Sequence, residues 1–156
     1  MLTKLQKRNS EGFTIIEVMI VLAIAALILL IVLLAVPALQ RNSRNTAIKN
    51  DASAVVAAVG EFGSNNDGAI PDTISQDGSK VTLSKSGDTS SEAKVQDNTT
   101  VDTASPDDTT VGHIWVAFGK KCNADNSHDM TGSPRSTAVN YNIETSSDPA
   151  PRCTDS

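Results

Sequence analysis

The 156-residue sequence predicts an α+β fold: a long N-terminal helix, half membrane-spanning and half amphipathic, packed against a small antiparallel β-sheet head. Three observations predict it. Val18 to Val36 is a run of 19 residues with no charge and no strongly polar group. After Pro37, apolar residues recur at helical spacing along one side, at Ile48, Ala52, Val55, Val56, Val59 and Phe62. Beyond residue 64, β-branched and aromatic residues gather in short clusters between turn formers.

Residues 1–12, MLTKLQKRNSEG, are polar, basic at Lys4, Lys7 and Arg8, and have no apolar core, so they read as a leader peptide, not a domain. As a helix, the run from Val18 to Val36 spans ~28 Å, close to the ~30 Å hydrocarbon core of a bilayer. Residues 13–39 are therefore expected to form the transmembrane half of the helix, the half that the family resemblance given below also assigns to assembly. Charge counting does not orient it, because Lys4, Lys7 and Arg8 are matched by Arg41, Arg44 and Lys49. Pro37 lacks the N–H a helix interior needs, so it kinks the helix or marks its exit from the membrane. Residues 40–63 are the amphipathic half, with Lys49, Asp51 and Glu61 off the apolar line. Ser64-Asn65-Asn66-Asp67-Gly68 is a cluster of turn formers and ends the helix near Phe62. From Phe13 to Phe62 the helix is about 75 Å long.

Residues 64–156 form the head. From 64 to 110 Ser, Thr, Asp, Asn and Gly dominate, which reads mostly as loop. The strand candidates are Lys80–Ser84, Val111–Phe118 and Thr137–Ile143. Trp115 is the expected anchor of a small core, and His113 beside it reads as structural. Cys122 and Cys153 lie far past the apolar run, where an exported domain meets an oxidising compartment, and suit one disulfide. Free thiols or a metal site are the other readings of the pair. A zinc set of Cys122, His128, Cys153 and His113 matches no paired-ligand spacing.

The string Gly12-Phe13-Thr14-Ile15-Ile16-Glu17, preceded by basic residues and followed at once by the apolar run, resembles the signature of type IV prepilins. That family includes pilins and the pseudopilins of type II secretion. The resemblance covers about residues 4 to 68, with an Asn-Asp-Gly-x-x-Pro loop at Asn66 to Pro71. It implies that a membrane peptidase cuts after Gly12 and methylates the new N-terminus at Phe13. It also implies that Glu17 serves assembly by facing the α-amino group of Phe13 on a neighbouring subunit or its own chain. A pilin-like architecture follows, and a head stapled by one disulfide fits it. Two features depart from the pattern: Pro37 lies later than usual, and the span from Glu17 to Pro37 has no glycine, which leaves the helix more continuous.

Physical chemistry supports the same points. A cut placed before the apolar run keeps that run on the mature chain, whereas a secretory signal loses its shorter one. Glu17 needs an explanation, since an acid at the centre of a membrane helix costs ~2.5 to 3.5 kcal/mol on insertion scales. A carboxylate near the membrane edge also reaches water by snorkelling. Thr14 reads as a small polar residue at that edge.

The resemblance implies a homo-oligomeric helical filament serving adhesion, motility, DNA uptake or secretion, with the prepilin peptidase and the membrane assembly machinery as partners. The subunit is expected in the cytoplasmic membrane as a single pass with its head outside, then in an extracellular pilus or periplasmic pseudopilus. A monomeric signal-anchored binding domain is a competing reading. So is cleavage at Val36-Pro37-Ala38 by a general signal peptidase, which would release a chain starting at Leu39. No nucleophile motif, phosphate loop or paired-ligand metal signature points to an enzyme. Residues 63–156 carry 7 Lys and Arg against 14 Asp and Glu, which argues against nucleic acid as a partner. No cofactor is expected. Asp97-Asn98 with Asp102, or Asp107-Asp108, offer oxygen ligands for calcium, without EF-hand spacing.

Overall fold

The computed structural model describes residues 12–86, 90–104, 110–124 and 130–156. Lys4, Lys7 and Arg8 of the expected leader, the Asp107-Asp108 pair and His128 lie outside them. The chain divides into two compact units, Met1–Leu39 and Gln40–Ser156. Helix α1, Ile15–Asn65, contributes to both.

In the N-terminal unit every described residue is exposed, and α1 is long and apolar enough to cross a membrane by length and composition. Pro37 lies inside the helix without ending it. The loss is local: the carbonyl of Leu33 forgoes the bond that an N–H at position 37 would donate.

In the C-terminal unit the face predicted from spacing is the one buried, through Ile48, Ala52, Val55, Val59 and Phe62. Asp51 corrects the sequence reading, since it is only 6 % exposed. It lies three residues past Ile48 and four before Val55, on the apolar line itself. Its carboxylate accepts the Thr99 hydroxyl at 2.6 Å and the Gln96 N–H at 3.2 Å, which satisfies a buried charge. The helix also runs three residues past the expected stop. Gly60 and Gly63 do not end it, and at Gly63 the carbonyl of Ala69 sits 3.5 Å from where a Cβ would be. The stop comes where Asp67 and Gly68 adopt φ of 52° and 79° and the Gly68 N–H returns to the Gly63 carbonyl at 2.7 Å.

Among the described residues seven strands follow: β1 Thr73–Asp77, β2 Lys80–Ser84, β3 Ser91–Lys94, β4 Thr100–Asp102, β5 His113–Cys122, β6 Met130–Ile143 and β7 Ala150–Asp155. The segment read mostly as loop thus holds β1 to β4. These strands are short and polar on their outer face, so their apolar alternation is carried by single residues such as Val81, Leu83 and Val101. In place of one sheet the described residues form two, ordered β1-β2-β3 and β4-β5-β6-β7, and β4 pairs with β5 in parallel. The Gln76 side chain joins their margins, donating to the Thr99 carbonyl and accepting the Val101 N–H, both at 2.7 Å.

The aliphatic core is formed by α1 residues with Val81, Leu83, Val101, Ile114, Val116, Val139 and Tyr141. Trp115 is not its anchor. Alternation along β5 turns Ile114 and Val116 inward and leaves Trp115 half-buried on the other face, where its Nε1 donates to the Thr103 carbonyl at 2.8 Å. Between Phe118 and Lys120 the β5–β6 register jumps at Gly119, whose φ is 69°, and residues 133–136 have no partner on β5. Beyond that gap Cys122 is bonded to Cys153 of β7, as the sequence suggested. Its N–H also meets the Asp155 carboxylate at 3.0 Å. Linking residues 31 apart stabilises the unit by about 3 to 4 kcal/mol in the chain-entropy model.

Candidate functional site

The described part of the N-terminal unit begins with three residues outside the helix, Gly12, Phe13 and Thr14. Thr14 caps α1: its carbonyl accepts the first helical bond from the Val18 N–H at 3.3 Å, and its hydroxyl oxygen accepts the Glu17 N–H at 3.3 Å. Glu17 reciprocates, its Oε2 accepting the Thr14 N–H at 2.8 Å and the Thr14 hydroxyl at 2.7 Å. This is a capping box, in which the first-turn acid and the cap residue satisfy each other's N–H groups. The negative carboxylate also sits at the positive end of the helix dipole.

The box supplies an intrachain reason for an acid at the head of an apolar run, and it corrects the reading of Thr14 as a bystander. Its signal was legible as Thr-x-x-Glu directly before the apolar stretch. The inferred partner of Glu17, an α-amino group on Phe13, does not exist in the uncut chain, where that nitrogen is a peptide amide. Phe13 is 88 % exposed. With Glu17, Val18, Val21 and Leu22 it lines a groove of about 470 Å³ that is apolar apart from the carboxylate.

Elsewhere, polar residues of α1 hold the chain just past β6. Arg44 of α1 grips Glu144 with two bonds, Nε to Oε1 at 2.5 Å and Nη2 to Oε2 at 2.6 Å. Asn45 holds the same residue's backbone, donating to its carbonyl at 2.8 Å and accepting its N–H at 2.7 Å. The Arg44 bonds hold the Glu144 carboxyl below its usual range. A carboxylate depressed in the folded state contributes stability that is present above its unfolded value and is lost as pH falls through its own lower one. Glu144→Gln is therefore expected to lower the melting temperature at neutral pH and to converge on the unsubstituted chain in acid. Parallel melting curves of the two chains between neutral pH and pH ~3 check this. Because the Arg44 side chain is 51 % exposed, added salt should shrink the neutral-pH gap.

The cysteines are committed to their disulfide, which removes them as zinc ligands. His113 Nε2 lies 3.0 Å from Asp102 Oδ1, which also accepts the Ala104 N–H at 2.8 Å. Among the described residues no group of three or more His, Cys, Asp or Glu side chains is placed to hold a metal ion.

Comparison with known proteins bears on the N-terminal unit. Residues 7–33 match the family model of the prokaryotic N-terminal methylation motif, the class III signal of type IV pilins and pseudopilins. The matched stretch contains Gly12, Phe13, Thr14, Glu17 and most of the apolar run. No curated protein and no solved structure matches the chain.

Proposed function

We propose that this chain is a structural subunit of a type IV pilus-like filament, cut between Gly12 and Phe13 by a prepilin peptidase, methylated at Phe13 and assembled through its apolar N-terminal helix. The observation that carries the reading is the methylation motif at residues 7–33, set on a helix whose apolar side chains are all exposed between Ile15 and Leu39. Such a surface is stable only in lipid or against other copies. The leader, residues 1–12, is removed. Residues 13–39 hold the subunit in the cytoplasmic membrane, and residues 40–156 lie on its outer side.

Cleavage changes the electrostatics of the site. Hydrolysis of the Gly12–Phe13 amide leaves a carboxylate on the leader and a protonated amine on Phe13. In the water-free core of a helical bundle, Glu17 of one subunit and that amine on the next attract strongly and fix the axial register. Contacts of this heterologous kind do not close on themselves, so they propagate into a filament. Membership of a pilus or of a secretion pseudopilus follows from the assembly machinery that takes up the processed subunit.

The N-terminal residue of protein recovered from membranes and from sheared surface filaments tests this. Methylated Phe13 is the expected result. Met1 would mean an uncut signal anchor, Leu39 a released soluble chain, and either would overturn the proposal.

A further inference from the structure

A second groove, of about 330 Å³, lies in the C-terminal unit between one face of α1 and the edge strand β7. Asn42, Asn45, Thr46 and Lys49 form one wall, at the three- and four-residue spacing that shares a helix face. Tyr141 and Arg152 form the other. They are direct partners in the β6–β7 register, so their side chains stand together on one face of the sheet.

The charge of this groove runs against its surroundings. Residues 40–156 carry 10 Lys and Arg against 16 Asp and Glu, yet no carboxylate lines the space. Lys49 and Arg152 are exposed, and neither is in an ion pair among the described residues. Arg152 Nη1 donates at 2.8 Å to the carbonyl of its neighbour Pro151 and keeps its other donors for the groove. The nearby acid Glu144 is committed to Arg44. Tyr141 is buried beside Arg152, 6 % exposed. Burial pushes its phenol up from the ordinary value while the charge of Arg152 pulls the other way, so the phenol senses what happens to that guanidinium. Two unneutralised cations beside a phenol and amide groups are a receptor for a carboxylate.

We propose that an acidic side chain of a second copy of this chain occupies the groove, in a contact that registers one C-terminal unit against the next. The proposal rests on the filament reading. Three observations select this occupant. The exposed apolar stretch of α1 already calls for neighbouring copies. The C-terminal unit of such a copy supplies the counter-charge, since its Asp72, Asp77 and Asp97 are exposed and in no ion pair among the described residues. Pro151 removes a main-chain donor from β7, which disfavours strand addition at that edge and leaves recognition to side chains.

The test compares the full-length chain with the double variant Lys49→Glu, Arg152→Glu and with Lys49→Arg. Each is assayed for its N-terminal residue, its melting curve, its yield of sheared filaments and its self-association in detergent. The charge reversal is expected to leave Phe13 at the N-terminus and the melt intact, and to lower filament yield and self-association by about tenfold or more. Lys49→Arg should behave as the unsubstituted chain. Tyr141 is the only tyrosine, so its phenolate absorbance reads this groove alone in titrations with acetate or inorganic phosphate. Unchanged assembly and self-association in the double variant would overturn the proposal. If those anions at millimolar concentration also shift the phenol's titration, the groove takes a free anion instead. An N-terminus of Met1 or Leu39 on the unsubstituted chain would instead sink the filament reading, and detergent self-association would still decide the groove.

Discussion

Glu17→Gln is expected to leave the Gly12–Phe13 bond cut while filament yield collapses to background. Glutamine decides the matter better than alanine because Glu17 has two separable jobs. Its Oε2 closes the capping box on Thr14, and its charge is the proposed partner of the Phe13 amine. A glutamine oxygen still accepts the Thr14 N–H, so the box survives with the helix start unchanged. Only the charge goes. A neutral amide beside a buried ammonium leaves that ammonium uncompensated, a loss of several kcal/mol for each subunit contact in a low-dielectric bundle, by about the cost of breaking a buried pair. Repeated at every subunit, that loss is enough to stop growth. The measurement is the ratio of sheared filament to processed membrane pool, with Phe13 confirmed as the N-terminus of both pools. If Glu17→Gln assembles normally and Glu17→Ala does not, the box and not the charge is what assembly needs. If both assemble, the role given to Glu17 is wrong.

The legibility of this chain falls along its length. The N-terminal unit is written in runs and motifs: an uninterrupted apolar stretch fixes a helix whatever its neighbours do, and Gly12-Phe13 with Glu17 lie inside the matched methylation motif. Thr14 is the exception even here, because the Glu17 charge suits a partner on another chain as well as its own first turn. In the C-terminal unit the helix face was legible from period alone, while Asp51 was set aside for being charged although its position places it inward. Polarity and position gave opposite answers, and position won because Thr99 and the Gln96 N–H were there to meet the carboxylate.

The strands were harder for a physical reason. β1, β3 and β4 are three to five residues long and carry one or two inward side chains each, so no period can declare itself over such a length. They owe their order to pairing across the sheets and to the Gln76 link between them, contacts that a local window does not contain. β7 carried the opposite signal, since Pro151 argues against a strand; it survives as an edge strand, where the missing N–H faces away from β6. Trp115 lies outside the core for a related cause. It is the largest side chain in its strand, but the alternation of β5 is set by Ile114 and Val116, and an indole with its N–H on the Thr103 carbonyl is as well satisfied at the margin as in the core.

Phe62→Ala is expected to be the most damaging single substitution in the C-terminal unit, and Phe13→Ala to leave that unit's melting curve where it was. The two residues are chemically identical and differ in surroundings: Phe62 is 0 % exposed and Phe13 is 88 % exposed. Truncating a fully buried phenylalanine costs about 3 to 5 kcal/mol, part lost transfer energy and part the cavity left behind. A unit of this size holds roughly 5 to 15 kcal/mol in total, so the loss is a large share, equivalent to a fall of roughly 10 to 25 °C in melting temperature. Relaxation offers little relief. Phe62 sits in the last turns of α1, its carbonyl held by the Asn66 side chain at 2.9 Å, and the chain reverses just beyond through the strained backbone at Asp67. Helix and turn are thus fixed on both sides of the cavity. Circular-dichroism melts of the full chain in detergent, followed at a β-sheet signal because the apolar helix stays folded in micelles, give the comparison. A fall of only a few degrees for Phe62→Ala would mean that the helix end closes over the gap, and that the aliphatic cluster from Ile48 to Val59 with the two sheets carries the unit without its one fully buried aromatic ring.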